Sequence, residues 1–302
     1  MSIRRPSSII SSPTSAWRQY AEQVDVPVAS PKALLHLCSK SAKARTHWAQ
    51  INTDYYEEDL DDYATFEMPL PKRILRYSIS SFILLPIALI AAMSVFDQLT
   101  SASTNFELIL SVPVWYALMG IAIWIVIGGS KFFTNSLIYL YVLGHELTHV
   151  LAIIISRGKV THFQVSLEGG MIKTDTSNLF VALAPYFIPL WTLVWGILAG
   201  LCYWIWPCIQ TEAFLYGGIG FWWAFHLFWT AWIIPLDQPD LKEHGTFFSL
   251  VIVYFSNLLV FILLLKLFGA IQLHQFAQDF WKNTLNLTDM FHEAYLSLLS
   301  AF

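Results

Sequence analysis

The chain has 302 residues, of which 56% are hydrophobic and only 13% are charged. An average soluble protein has about 25% charged residues, and a soluble surface cannot be built from so few charges. The net charge of −4 offers no positive field for nucleic acid. The composition therefore excludes an ordinary soluble enzyme, a disordered chain and a nucleic-acid binder, and it predicts an integral membrane protein.

Charge is distributed unevenly along the chain. Residues 1–76 form a polar N-terminal region that contains more than half of the Lys and Arg residues. From residue 77 to residue 268 the chain consists of long apolar runs, each long enough to cross about 30 Å of hydrocarbon as a helix of about 20 residues. We therefore predict an all-α polytopic membrane domain. Its six predicted transmembrane helices lie within Tyr77–Phe96, Leu108–Ser130, Phe132–Ser156, Thr176–Thr211, Ala213–Leu236 and Gly245–Leu265.

The orientation follows from a basic cluster just before the first run, at Lys72, Arg73 and Arg76. Basic residues favour the cytoplasmic side, so we predict a cytoplasmic N-terminus in a bacterial inner (plasma) membrane. Six crossings return the C-terminus to the same side. Residues 269–302 form an amphipathic tail that we expect to lie on the membrane surface.

The third apolar run contains the sequence Gly144-His145-Glu146-Leu147-Thr148-His149. Residues four apart lie on one face of a helix, so His145 and His149 can bind one zinc ion. Glu146 then lies beside the open metal position, where it can take a proton from zinc-bound water. Ionisable residues inside a transmembrane helix cost free energy and usually have a function. This favours a metal site over a set of hydrogen bonds between neighbouring helices.

Two short segments after this helix alternate between apolar and polar residues. They cover residues 160–167 and 171–174 and flank Gly169-Gly170. Period-two alternation around a Gly-Gly pair predicts a β-hairpin, and so a small sheet directly after the metal-binding helix.

The motif in a membrane helix, followed by a small sheet, resembles the site-2 protease family of intramembrane zinc metallopeptidases. The resemblance covers about residues 112–268. It implies zinc as the cofactor, the lipid bilayer as the surroundings, and hydrolysis of a peptide bond in a membrane-anchored protein substrate, with Glu146 as the catalytic residue. It also implies a strand that presents the substrate backbone in extended form.

The third zinc ligand is where the chain departs from this family, which uses an Asp-Gly pair in a later helix. The corresponding stretch, residues 234–245, contains Asp237 and Asp240, and neither is followed by Gly. Asp240 is the better candidate because Pro239 suits the first position of a helix and would fix Asp240 in its first turn. Asp237 remains an alternative ligand, although it fits a loop or capping residue better.

Other polar residues are weaker candidates. His226, inside the fifth run, is a possible alternative ligand, a partner that orients a ligand, or a stabiliser of an oxyanion. Asn178 resembles the polar residues that orient substrate in such sites. Glu168 or Glu212 would be the third ligand if the chain were a different membrane metallopeptidase with the same two-histidine motif.

Two further functions remain open. A catalytically inactive metal-binding scaffold or regulator of the same fold would account for the missing Asp-Gly pair, although such a protein has no need of Glu146. A transporter could use the same residues as a metal or proton relay. The sequence indicates neither the oligomeric state nor the role of residues 1–76.

Overall fold

The computed structural model describes residues 8–11, 69–101, 110–130, 134–166, 169–236 and 238–300. Over these residues the chain folds into α-helices and one small antiparallel sheet. The helices are α1 Leu70–Ile79, α2 Leu85–Thr100, α3 Val112–Gly128, α4 Thr134–Ile155, α5 Leu179–Phe187, α6 Leu190–Ile205, α7 Ile209–Ile233, α8 Pro239–Glu243, α9 Thr246–Leu267 and α10 Leu273–Ser300.

Helices α1 and α2 form one continuous helix, Leu70–Thr100, through a single π-helical turn at Ser80–Leu84. Pro86 lies in the first turn of α2 and has no backbone N–H. It cannot donate the ordinary hydrogen bond to the preceding turn, and a π-helical turn at this point accommodates the missing donor.

Three helices are long and apolar enough to cross a bilayer, namely Leu70–Thr100, Asn135–Ile155 and Thr246–Leu267. Helices α5 and α6 make a fourth span if they count as one, although they are bent by 63° relative to each other. Helix α3 has only 17 residues, and α7 is rich in Trp, Gly and polar residues. The class of polytopic helical membrane protein thus stands, whereas six spans are not confirmed.

Helix α9 runs parallel to the first long helix. At one end Arg76 donates to the His244 carbonyl oxygen (2.8 Å), and at the other Gln98 Nε2 donates to the Gln272 carbonyl oxygen (3.3 Å). Successive crossings alternate in direction, so six full crossings would make the first and last helices antiparallel. The predicted arrangement of six crossings, with both termini on one side, is therefore incompatible with this packing.

The predicted β-hairpin is confirmed. Strand β2, Val160–Ser166, pairs antiparallel with β3, Gly169–Thr174. Ser8–Ser11, which form β1, pair with the other edge of β3, so the strand order is β1-β3-β2. Ile172 of β3 is fully buried against Ile153 of α4 and neighbouring residues of α5, which fixes the hairpin on the motif-bearing helix.

The amphipathic tail is a helix that packs by its first half on α2. Asn283 Nδ2 donates to Asp97 Oδ2 (2.8 Å) and to Ser94 Oγ (3.2 Å). Toward its end α10 exposes apolar side chains, including Phe291 and Leu298. Of the predicted polar N-terminal region, residues 1–7 and 12–68 lie outside the described residues.

Helix α5 is the most enclosed element near the motif. Asn178 caps it, because its Oδ1 accepts from the Val181 backbone N–H (2.9 Å). From Val181 to Tyr186 every side chain is buried, against α4 on one side and α9 on the other. This short helix therefore brings main-chain and side-chain groups to the middle of α4, where the histidines lie.

Candidate metal centre

Helix α4 presents His145, Glu146 and His149 to the protein interior, and all three are buried. The two imidazole ring centroids are 4.9 Å apart. The four-residue spacing thus places both histidines on one helix face, as the sequence predicted.

Asp240 joins the two histidines from α8. Its Oδ2 lies 3.7 Å from His145 Nε2 and 3.6 Å from His149 Nε2. The three candidate ligand atoms all lie within 4.8 Å of one another. Asp240 is therefore the carboxylate that the structure brings to the pair, while Asp237 lies outside the described residues.

The spacing of these atoms fits a metal ion. Zinc–nitrogen and zinc–oxygen distances of about 2.0–2.2 Å put neighbouring ligand atoms of a tetrahedral site about 3.3–3.5 Å apart. The observed separations of 3.6 and 3.7 Å are too long for hydrogen bonds and only slightly wider than this. The group could therefore hold a metal ion, and its two nitrogens and one oxygen are ligand atoms that several divalent transition metals accept.

Hydrogen bonds to the other ring nitrogens orient the two histidines. His149 Nδ1 lies 2.8 Å from the Val181 carbonyl oxygen, and His145 Nδ1 lies 3.3 Å from the Tyr141 hydroxyl. A carbonyl oxygen only accepts, so His149 Nδ1 must carry a proton, and in the neutral ring this leaves the Nε2 lone pair free for a metal ion. Such contacts fix the tautomer and orientation of metal-binding histidines.

Glu146 lies beside the ligand group but outside it. Both of its carboxylate oxygens are buried and have no hydrogen-bond partner within the described residues. Gly170 of β3 packs directly on this carboxylate, and a Cβ at that position would overlap it. A buried carboxylate without a partner is costly, which marks Glu146 as a group arranged for a ligand or reactant.

The remaining candidates lie elsewhere. His226 is buried in α7 and lines a small cavity together with His145 and Tyr141, but it does not belong to the three-residue ligand group. Asn178 serves as the cap of α5 rather than as a free polar group. Glu212 lies in the first turn of α7 and is not part of the group, and Glu168 lies outside the described residues.

The polar loop around α8 is tied to the rest of the fold. Ser177 Oγ donates to Glu243 Oε1 (2.7 Å), and Glu243 lies 3.8 Å from His244 Nε2. Burial lowers the pKa of His244, with Glu243 acting in the opposite direction. These contacts hold α8 against the entry to α5.

Sequence reasoning missed two tyrosines. Tyr141 precedes His145 by four residues, so the helix spacing that revealed His149 could also have revealed this contact. Tyr186, which donates to Asp240 Oδ2 (3.0 Å), comes from a different helix, and no local pattern indicates it.

Comparison with known proteins identifies no family: no family model, no curated protein and no solved structure matches the chain. The resemblance to the site-2 protease family therefore rests only on the two-histidine motif and on the small sheet that follows its helix.

Proposed function

We propose that the chain is a zinc-dependent metallopeptidase that hydrolyses peptide bonds of membrane-anchored proteins within the bilayer. The observation that carries this proposal is the buried group of His145, His149 and Asp240, with Glu146 beside it and without a hydrogen-bond partner among the described residues. Three protein ligands, an open fourth position and an adjacent carboxylate are the parts that a hydrolytic zinc site requires. The resemblance to the site-2 protease family points the same way.

The roles of the residues follow from their positions. Zinc, when bound, supplies a coordinated water with a pKa of about 7 and polarises the carbonyl under attack. His145, His149 and Asp240 would hold the ion. Glu146, which has no hydrogen-bond partner in the described part of the chain, would take the proton of the attacking water and pass it to the leaving amine. Burial of the whole group strengthens each of these electrostatic interactions.

The position of β3 supports a peptide as the substrate. Through Gly170 this strand runs along Glu146, so an extended chain paired with β3 would lie next to the general base. Ser8–Ser11 pair with the edge of β3 that does not face β2. A substrate that used this edge would therefore have to replace that segment.

A metal-binding scaffold without peptidase activity is the second candidate. The observation that favours it is the lack of Gly after Asp240, where the family pattern has Asp-Gly. Metal content and cleavage must therefore be measured on the same protein.

The test uses purified wild type and Glu146→Gln, with zinc content and cleavage of a membrane-anchored reporter as readouts. We expect one zinc per chain in both proteins and cleavage only by wild type, because Glu146 is not a ligand. His145→Ala should lose zinc, whereas His162→Ala, which alters an exposed histidine of β2, should keep it. Wild type without zinc, or equal cleavage by Glu146→Gln, would contradict the proposal. Zinc binding without cleavage would support the scaffold.

A further inference from the structure

Asp240 is held by a short element. Helix α8 has only five residues, and a helix this short is not stable by its own hydrogen bonds. The same carboxylate oxygen, Oδ2, faces both histidine Nε2 atoms. A metal ligand on so short a helix needs a second group to fix the direction of its carboxylate.

Tyr186 makes the contact that does this. Its hydroxyl donates to Asp240 Oδ2 at 3.0 Å and has a second acceptor, Gln238 Oε1, at 3.3 Å. Gln238 Nε2 donates to the Ile233 and Leu236 carbonyl oxygens, so its amide is fixed with the oxygen toward Tyr186. The single hydroxyl proton favours the charged and closer acceptor, which is Asp240.

Tyr186 is itself immobilised. Its side chain is only 1% exposed, and its ring packs edge-on against His145 with 5.4 Å between ring centroids. Asn257 of α9 donates from Nδ2 to the Tyr186 carbonyl oxygen (2.8 Å) and to that of Val253 (2.9 Å). The tyrosine thus connects α5 and α9 with ligands from α4 and α8.

From this geometry we infer that Tyr186 is a positioning residue for the metal site, which holds Asp240 Oδ2 toward His145 and His149. The inference rests on the metal-binding part of the proposed function. Loss of the hydroxyl would leave a buried carboxylate free to turn and without its donor. Partners of this kind affect metal affinity by about 10- to 100-fold.

Tyr186→Phe removes only the hydroxyl and keeps the ring against His145. We expect its dissociation constant for Zn²⁺, measured by competition with a chelator on the purified full chain, to rise about 10- to 100-fold. We also expect a changed visible absorption spectrum of the Co²⁺-loaded protein. Tyr254→Phe is the matched control, because Tyr254 is an exposed tyrosine of α9, and its affinity should equal that of wild type.

A double-mutant cycle separates positioning from a general structural effect. If Tyr186 acts through the Asp240 carboxylate, Tyr186→Phe should have little further effect on zinc affinity in an Asp240→Asn background. A wild-type affinity in Tyr186→Phe, or an undiminished effect in the Asp240→Asn background, would overturn the inference. If Tyr186→Phe does not fold, Asn257→Ala, which loosens the anchor of Tyr186, must weaken zinc binding, and unchanged binding overturns it.

The two proposals fail separately. Wild type that binds zinc but cleaves nothing contradicts the peptidase and leaves the affinity test of Tyr186 intact. A cleaving wild type whose Tyr186→Phe variant binds zinc normally contradicts the positioning role alone.

Discussion

Gly170 determines where the Glu146 carboxylate can lie. It is a buried residue of β3, and the Glu146 side chain fills the space that a Cβ would occupy. Its backbone does not have the positive φ that excludes other residues, in contrast to Gly169. The requirement for glycine at position 170 is therefore one of space beside the proposed general base.

Gly170→Ala should displace the Glu146 carboxylate without removing any metal ligand. We expect cleavage to fall by about 100-fold, since a displacement of about 1 Å in a catalytic group can cost that much, while zinc content stays at the wild-type level. Cleavage of a membrane-anchored reporter and metal analysis of the same sample measure both. Gly196→Ala, at a position with open space around the glycine, is the control. Undiminished cleavage by Gly170→Ala would show that Glu146 tolerates the displacement or is not the base.

Whether a residue of the metal centre can be predicted from the sequence depends on how far it lies along the chain from its partners. His145, Glu146 and His149 could be found because their spacing is local to one helix. Asp240 could be ranked above Asp237 because Pro239 predicts a helix start, and α8 does begin at Pro239. Tyr186 could not be found, since its contact with Asp240 joins residues 54 positions apart and depends on how α5 packs.

Among the elements, α3 and α7 pack most closely. Gly120 of α3 lies against the Gly217 carbonyl oxygen, and Gly220 of α7 lies against the Ala117 carbonyl oxygen, so that a Cβ at either glycine would overlap backbone. Small residues let membrane helices approach until their backbones touch. This contact holds α7 in place, and α7 leads through a short connection into α8, which carries Asp240.

Gly120→Ala should destabilise the fold although alanine favours helices. The added Cβ meets a backbone oxygen that cannot move aside, and overpacking of this kind costs about 1–3 kcal/mol, more than the gain in helix propensity of at most about 1 kcal/mol. Gly200→Ala, the same change at an open position of α6, should be neutral or stabilising. Thermal unfolding in detergent checks both, and equal stability of the two variants would contradict this packing.

A periodic sequence pattern predicts that a helix or strand exists, but it does not predict where that element ends or bends. The β-hairpin after α4 and the amphipathic C-terminal helix have periodic sequences and were found. The apolar run Thr176–Thr211 predicts one transmembrane helix, but it forms α5 and α6 with a bend of 63° between them. Pro189 lies at the break between the two helices, and proline is a common cause of so sharp a bend. Helix α5 packs on α4 and α9, whereas α6 packs mainly on α7.

For the whole molecule, the parallel packing of α9 and the first long helix constrains how the chain crosses the membrane. If both helices span the bilayer, an odd number of crossings must connect them. The three candidate spans satisfy this, because α4 is then the single crossing between the first long helix and α9, and the bent pair α5–α6 is either a broken span or a re-entrant loop. Apolar length alone could not reveal this, because it does not give helix direction.

The direction of α9 predicts that residue 72, just before the first long helix crosses, and residue 282 in α10 lie on opposite sides of the membrane. Lys72 and Lys282 are exposed, so single-cysteine variants Lys72→Cys and Lys282→Cys can be made in a chain whose natural cysteines are replaced by serine. A membrane-impermeant maleimide added to one side of intact vesicles should label only one variant.

Permeabilised vesicles should show labelling of both variants, which controls for the reactivity of the two cysteines. Labelling of both variants from the same side would mean an even number of crossings, as the six-span interpretation requires, and would contradict the parallel packing of α9.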